Sequence, residues 1–174
     1  MTKSIKIINN KIKRTKTFIV YKNDDYYLGK YSNNKPNGRG FYIYSNGSRY
    51  IGNFKDGKCD GTGLCILPDG SKYDGDFKDD RIEGYGKFSY SDGSYYEGNF
   101  VNGLRYGIGK YRSPNGIIYI GNWVNGRKHG EGKIIFPNMY KIEGIWDDNE
   151  YYNVKIFNNE KQIGEIKDGK IVEG

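Results

Sequence analysis

The chain repeats one pattern every 23 residues, and this period limits its possible folds more than any other feature. If Tyr27 is taken as position one, the pattern recurs without insertion or deletion, with glycine at position three and an aromatic residue at position five. Position one is Tyr27, Tyr50, Tyr73, Tyr96, Tyr119 and Ile142, and position five is Tyr31, Phe54, Phe77, Phe100, Trp123 and Trp146. Self-similarity at a fixed period of about 20 to 50 residues indicates a repeat architecture.

Glycines also occupy fixed positions of the unit. Each of the five regular repeats has a Gly-x-Gly pair at positions twelve and fourteen, and 23 of the 26 glycines fall in rows of this kind. Glycine weakens a strand unless a side chain or a backbone must approach closely. We therefore expect rings at position one or five to lie over the glycines, so that the core is a row of aromatic rings on glycine backbone.

Each repeat is predicted to form a β-hairpin. Residues 50–54 (YIGNF) alternate between two faces of a strand, and Asp56-Gly57 favours a tight turn because both residues tolerate positive φ. A second strand, residues 61–67 (GTGLCIL), places Gly61 and Gly63 on one face, and residues 68–71 (PDGS) form a second turn. The chain is therefore expected to be an antiparallel meander of about a dozen strands.

This pattern resembles the MORN repeat family, whose unit reads roughly YxGxW, a turn, and GxGxxxxxxG. The resemblance covers residues 27–141 as five full units, residues 142–161 as a degenerate sixth, and a seventh that begins at Gln162. It implies an all-β fold: an elongated, single-sheet antiparallel β-hairpin solenoid, curved or twisted. The predicted division is a basic arm and degenerate capping half-repeat (1–26), five regular repeats (27–141) and a degenerate C-terminal cap (142–174).

The net charge of +7 is concentrated at the N-terminus. Of 28 basic residues, seven lie in residues 1–22, which contain no acid, so the remainder is neutral with 21 of each sign. Residues 142–174 contain eight acids and four lysines. We interpret both ends as caps that protect the open edges of the sheet from aggregation. Self-association of the oppositely charged ends into a homo-oligomer is the alternative.

Composition argues against several classes of protein. No run of about 18 apolar residues could cross a membrane as a helix, and no N-terminal apolar segment resembles a secretory signal. Cys59 and Cys65 match no metal-site spacing, so we expect two reduced cysteines in a cytosolic protein. Neither a metal nor a cofactor is predicted.

The candidate catalytic motifs in the sequence are incomplete. Residues 52–58 (GNFKDGK) approach a P-loop, but Cys59 stands where Ser or Thr is required, and no helix is expected to follow. His129, the single histidine, precedes a repeat glycine with no orienting partner or nucleophile indicated. An enzyme is therefore not expected. Nucleic acid is not an expected partner either, because no basic stripe accompanies the aromatic residues.

The first functional hypothesis is a scaffold or protein-binding module with an aromatic-lined groove for a partner peptide, helix or protein. The MORN resemblance supports it, since related proteins act as scaffolds that clasp partner segments. Position-five rings are expected to pack mainly in the core. The position-one tyrosines are expected to keep an accessible edge and to contact the partner: Tyr27, Tyr50, Tyr73, Tyr96 and Tyr119.

Two alternative functions are also considered, membrane attachment and regulation of a separate enzyme. Similar MORN arrays are linked to anionic phospholipids, and the basic arm favours attachment to such a membrane surface. Its candidate contacts are Lys3, Lys6, Lys11, Lys13, Arg14 and Lys16. Related arrays also precede enzyme domains, which implies a regulatory or targeting partner of a separate enzyme. The predicted location is the cytoplasm, including a peripheral position at a membrane or the cytoskeleton.

Overall fold

The computed structural model describes residues 3–7 and 16–172, which contain sixteen β-strands and no helix. The strands are β1 Lys3–Ile7, β2 Lys16–Val20, β3 Tyr26–Ser32, β4 Lys35–Ile43, β5 Arg49–Lys55, β6 Lys58–Ile66, β7 Lys72–Lys78, β8 Arg81–Ser89, β9 Tyr95–Val101, β10 Leu104–Arg112, β11 Ile118–Val124, β12 Arg127–Ile135, β13 Tyr140–Asp147, β14 Glu150–Asn158, β15 Lys161–Lys167 and β16 Lys170–Val172. They are ordered in one open sheet as they are in the chain. The predicted all-β repeat fold is confirmed. There are more strands than the dozen expected, because the degenerate segments at both ends also pair.

The chain forms two compact units, residues 1–84 and 85–174. In the first unit, β1 to β7 pair in chain order through antiparallel ladders. In the second unit, β9 to β16 do the same.

The hairpin turns have the conformation that the sequence predicts. Asp56 and Gly57 both have positive φ, at 50° and 91°. The same holds for Asn33-Asn34, Asp79-Asp80, Asn102-Gly103, Asn125-Gly126 and Asp148-Asn149. Positive φ at both central residues defines a type I′ turn, whose twist matches that of the flanking strands. Asn, Asp and Gly tolerate this region, which explains their recurrence at positions seven and eight.

The two glycines of each Gly-x-Gly pair have different roles. In the ladder between β5 and β6, Gly52 faces Gly63 and Phe54 faces Cys59, so three residues of β6 oppose one residue of β5. Gly61 lies in this bulge with a φ of 94°. A β-carbon on Gly61 would meet Asn53, whereas one on Gly63 would meet the Tyr50 ring, so the expectation that both glycines share the flat face is wrong. Position twelve is glycine because a bulge needs positive φ there, whereas position fourteen is glycine for space.

The core consists of position-one rings that lie over pairs of glycines. The ring of Tyr50 occupies the space that β-carbons on Gly52 and Gly63 would need, and these glycines face each other across β5 and β6. Equivalent arrangements are Tyr27 over Gly29 and Gly40, Tyr96 over Gly98 and Gly109, and Tyr119 over Gly121 and Gly132. The predicted core of rings on glycine backbone is confirmed, and the covering ring is the one at position one.

Position-one and position-five rings alternate in an aromatic ladder within each unit. Tyr50 meets Phe54 and Phe77 edge-on, with ring centroids 5.0 Å apart in both pairs. In the second unit, Trp123 contacts Tyr96 at 5.3 Å and Tyr119 at 5.2 Å, again edge-on. Edge-to-face pairs contribute about 0.5–1.5 kcal/mol each beyond area burial. This ladder compensates for the low hydrophobic content of 36%.

The hydroxyl of each position-one tyrosine is also used inside the fold. The Tyr50 hydroxyl donates to the backbone carbonyl of Asn53 at 3.0 Å, and Asn53 is the residue of β5 that has no partner in β6. Tyr73, Tyr96 and Tyr119 make the same bond to the carbonyl three residues later, at 3.0, 3.1 and 3.0 Å. A half-buried carbonyl without a ladder partner needs another donor, which explains tyrosine rather than phenylalanine at position one.

Candidate functional site

The position-one tyrosines are fully enclosed. The exposed fractions of Tyr27, Tyr50, Tyr73, Tyr96 and Tyr119 are 0%, 1%, 1%, 0% and 2%. This corrects the expectation of an accessible edge: glycine backbone covers one side of each ring, position-five rings cover its edges, and the hydroxyl points to an internal carbonyl. Burial raises the pKa of Tyr27, Tyr96 and Tyr119 to about 12. A surface for a partner must be sought in other residues.

The position-five rings lie mainly in the core. Phe54, Phe77, Phe100, Trp123 and Trp146 are buried, whereas Tyr31 is half-buried. The Trp123 indole N–H donates to the carbonyl of Gly109 at 3.3 Å. The Trp146 indole N–H is buried and finds no acceptor among the residues that the structure describes. The indole N–H of the fifth unit is therefore hydrogen-bonded, whereas that of the degenerate sixth unit is not.

A row of half-buried apolar side chains lies beside the ladder at position sixteen. Its members are Tyr42 and Cys65 in the first unit, and Phe88, Tyr111 and Ile134 in the second. Tyr42 faces Tyr27 and Tyr50 in the neighbouring strands, and Tyr111 faces Tyr96 and Tyr119, so the row shares the face of the aromatic ladder. We call this the aromatic face. Sequence reasoning missed the row, although its signal was present: position sixteen is apolar in all five regular repeats.

In the first unit, this face contains a depression of about 410 Å³. Tyr42 and Tyr44 line it with ring centroids 4.5 Å apart, and the Tyr44 hydroxyl lies 3.7 Å from the Cys59 sulfur. The Tyr42 hydroxyl donates to the buried Asp25 carboxylate at 2.7 Å. Burial raises the pKa of the Cys59 thiol to about 12, so it is protonated and unreactive at neutral pH.

In the second unit, the same face carries two cations. The Arg105 guanidinium carbon lies 4.9 Å from the Trp123 ring centroid and 5.0 Å from that of Tyr111, and Arg105 Nη2 donates to the Tyr90 hydroxyl at 2.7 Å. The Lys128 ammonium lies 5.2 Å from the Tyr119 ring centroid. Both side chains are half-buried. Burial, reinforced by the charge of Arg105, lowers the pKa of Lys128.

The opposite face of the sheet has a mixed composition. Position thirteen is Arg39, Thr62, Tyr85, Ile108 and Glu131, and position two is Leu28, Ile51, Asp74, Glu97, Ile120 and Glu143. Several of its apolar members are exposed, including Ile108 at 70% and Ile51 at 47%. Because the same positions are charged in other repeats, this composition is typical of a solvated surface.

The proposed lipid contacts lie at the N-terminus. Lys3 and Lys6 belong to β1 and Lys16 begins β2, whereas Lys11, Lys13 and Arg14 lie outside the described residues. Lipid contact by this arm stays a prediction. Within residues 3–7 and 16–172, no helix has the length and apolar character needed to cross a bilayer.

The residues considered for chemistry remain apart. His129 Nδ1 lies 3.1 Å from an Asp147 oxygen on the surface, with both side chains more than half exposed. Residues 52–58 form the end of β5, a type I′ turn and the start of β6, which is a hairpin and not a phosphate-binding loop. In the described part of the chain, no group of three or more His, Cys, Asp or Glu side chains could hold a metal ion.

A protein-family model matches the five regular repeats. The family described as MORN repeat matches residues 27–49, 50–72, 73–95, 96–118 and 119–138, which is more than half of the chain. The chain belongs to the MORN repeat family. The matched units begin at the same tyrosines that define position one in the sequence. No curated protein matches this MORN chain in sequence.

Solved structures share the fold of this MORN protein at low sequence identity. One is the SAS-4 (dCPAP) TCP domain of Drosophila melanogaster in complex with a proline-rich motif of Ana2 (dSTIL), with a TM-score of 0.58 and 11% identity over 98% of this chain and 90% of that one. Another is the G-box domain of the microcephaly protein CPAP, with a TM-score of 0.60 and 12% identity over 99% and 98%. At these identities the likeness concerns the fold.

Proposed function

We propose that this MORN chain is a non-catalytic protein-binding module, or scaffold, that holds a partner segment on its aromatic face. The observation that carries the proposal is the position-sixteen row, which is half-buried and apolar in all five regular repeats. A solvated surface would tolerate charge at this position in some repeats, as positions two and thirteen do. A row of partly accessible side chains that is apolar in every regular repeat favours a binding surface.

The side chains in and beside this row suit a peptide. Tyr42 and Tyr44 line the depression in the first unit, and Tyr90 and Tyr111 flank Arg105 in the second. Tyrosine offers a large rigid contact area at low entropy cost, and such residues dominate binding energy in interfaces. The complex of the SAS-4 TCP domain with a proline-rich motif supports a peptide ligand for a sheet of this kind.

The chemistry of the candidate groups supports a non-catalytic role. The Cys59 thiol is held protonated by its raised pKa of about 12, and His129 is exposed and pairs with Asp147. Cys59 shares its depression with Asp80, but a protonated thiol is a poor nucleophile. If the chain acts on an enzyme, it does so as a separate regulatory partner.

Site-specific photo-crosslinking tests the proposal. A photoreactive phenylalanine analogue is placed at Tyr44 or Tyr111 on the aromatic face, and at Ile51 or Ile108 on the opposite face as matched controls. The protein is irradiated in cells, and adducts are identified by mass spectrometry. We expect a partner to be captured from Tyr44 or Tyr111, and not from the control in the same unit. Adducts only from Ile51 or Ile108 would contradict the proposed surface.

Attachment to an anionic membrane surface is a second candidate, because residues 1–22 carry the whole net charge. Each basic residue near such a surface contributes about 1 kcal/mol. The test is co-sedimentation with phosphatidylserine vesicles of the wild type and of a variant with glutamine at Lys3, Lys6, Lys11, Lys13, Arg14 and Lys16. Membrane attachment through the arm requires loss of binding in the variant. Such attachment would give the chain the peripheral position at a membrane that its sequence predicts.

A further inference from the structure

Position ten changes character along the chain. It faces the position-five ring across each hairpin, as Cys59 faces Phe54, Arg105 faces Phe100 and Lys128 faces Trp123. In the first unit the position is apolar or a thiol, at Pro36, Cys59 and Ile82. In the second unit it is cationic in two consecutive repeats, Arg105 and Lys128. The fold therefore does not need a cation here, since the same position accepts apolar side chains.

Neither of these two cations has an acidic partner in the part of the chain that the structure describes. Position eight of the next repeat lies against position ten: the N–H of Asp80 donates to the Cys59 carbonyl at 3.0 Å, and the N–H of Gly126 donates to the Arg105 carbonyl at 2.9 Å. Asn149 makes the equivalent bond to Lys128 at 3.1 Å. An acid thus stands beside the thiol, whereas glycine and a neutral amide stand beside the cations. Among residues 3–7 and 16–172, no acid forms an ion pair with either cation.

The surroundings of the cations are aromatic. Arg105 lies within about 6 Å of the ring centroids of Tyr90, Tyr96, Tyr111 and Trp123, and its only hydrogen bond to a side chain in the described region is to the Tyr90 hydroxyl. Rings hold the guanidinium in place without cancelling its charge. Half-buried cations without counter-ions are costly, and the lowered pKa of Lys128 is a sign of that cost. Their retention in adjacent repeats indicates a ligand that supplies the negative charge.

We propose that Arg105 and Lys128 together bind two carboxylates of an acidic peptide segment. The inference rests on the proposed function and specifies its partner as a segment with aspartate or glutamate. The cations lie on β10 and β12, two strand spacings or about 10 Å apart at the backbone. In an extended peptide, side chains two or three residues apart are separated by about 7–10 Å, so two carboxylates can reach both cations. Arginine offers a planar fork that pairs with a carboxylate through two hydrogen bonds.

A peptide fits this site better than a lipid headgroup. Arg105 and Lys128 are recessed among rings, whereas headgroup binding by a basic surface uses side chains that protrude into solvent. Tyr111 and Ile134 of the half-buried row lie on the same face of the second unit and offer apolar contacts to neighbouring side chains of a peptide. The combination of charge and aromatic contact therefore favours a peptide that carries acids together with apolar residues.

Binding of defined anions to the purified full chain tests the inference. The probes are a hexaglutamate peptide, inorganic phosphate and phosphatidylserine vesicles, with tryptophan fluorescence as one readout because Trp123 lies under Arg105, and calorimetry as another. The variants are Arg105→Ile and Lys128→Ile, which introduce the residue that Ile82 already provides at position ten. Lys133→Ile removes one charge from the opposite face of the same unit as a matched control. Circular dichroism checks that all variants are folded.

We expect hexaglutamate to bind the wild type and the Lys133→Ile variant alike, and to bind Arg105→Ile and Lys128→Ile at least tenfold more weakly. Binding to the wild type should weaken as salt is added. Equal affinity in all variants, or no binding to the wild type, would overturn the inference. The inference would also be overturned if phosphate or vesicles bind in a way that depends on Arg105 while the peptide does not bind. If the crosslinked partner is still captured from Tyr111 in the Arg105→Ile, Lys128→Ile double variant, the protein-binding function stands and the acidic-peptide inference fails.

Discussion

The ring of Tyr50 lies over the α-carbon of Gly63 and fills the space that a β-carbon on Gly63 would need. Both residues recur at fixed positions because neither can change alone. The ring fits only against residues without a β-carbon, and the glycine backbone needs a ring to shield it from solvent. The period of 23 residues is therefore the period of this contact as much as of the hairpin.

Adding a methyl group at Gly63, beneath the Tyr50 ring, should destabilise the fold. We expect Gly63→Ala to lower the free energy of unfolding by about 1–3 kcal/mol or more, because the ring and two strands must shift to admit it. The matched control is Gly164→Ala, since Gly164 also lies in a strand but a β-carbon there would meet no atom within 4 Å. Urea unfolding followed by circular dichroism measures both. Equal losses for the two variants would show that the ring does not rest on Gly63.

Removing the position-one hydroxyl should cost one internal hydrogen bond. In Tyr50→Phe the ring stays over its glycines, but the Asn53 carbonyl loses its donor, which we expect to cost about 1 kcal/mol of stability. Tyr31→Phe is the control, because the Tyr31 hydroxyl bonds to the carbonyl of Asn34 at an exposed turn where water can replace it. The same unfolding measurement compares them. A cost for Tyr31→Phe as large as that for Tyr50→Phe would contradict the argument from burial.

The sequence predicts the hairpins and the turns because these depend on local properties: alternation along strands, and residues such as Asp56 and Gly57 that tolerate positive φ. It also predicts rings on glycine. It does not reveal that Gly61 belongs to a bulge, because both glycines of a pair look alike until the strand register is known. The missing register also misplaces the candidate binding surface. Without the register, Tyr50 was expected to keep an open edge, whereas the half-buried side chains that remain at this face are Tyr42 and its equivalents.

Alkaline pH should destabilise the aromatic ladder. Burial raises the pKa of Tyr27, Tyr96 and Tyr119 to about 12, above the value near 10 of an unfolded tyrosine. The unfolded chain therefore loses phenolic protons first, so the contribution of these groups is complete below pH 10 and is lost as pH rises from 10 to 12. Urea unfolding at about pH 9, 10 and 11 measures the slope, and tyrosinate absorbance reports the ionisation.

The control for this pH dependence is Tyr96→Phe, which removes one titrating phenol and should give a shallower decline than the wild type. Lysines titrate in the same range and are unchanged in the variant, so the difference between the two slopes isolates the phenol. A decline that is identical in both proteins, or tyrosinate absorbance with a midpoint near pH 10 for every tyrosine, would argue against enclosed rings.

The two tryptophans should respond differently to replacement by phenylalanine. Trp123 loses a hydrogen bond to the Gly109 carbonyl as well as ring volume, whereas Trp146 loses volume and a buried N–H that has no acceptor among the described residues. Leaving a buried donor unpaired costs about 1–3 kcal/mol, so its removal offsets part of the lost packing. We expect Trp123→Phe to be more destabilising than Trp146→Phe by about 1–2 kcal/mol in urea unfolding. Both side chains are buried to a similar degree, at 2% and 1% exposed, which makes each the control for the other. A larger loss for Trp146→Phe would mean that the sixth unit satisfies its indole as fully as the fifth.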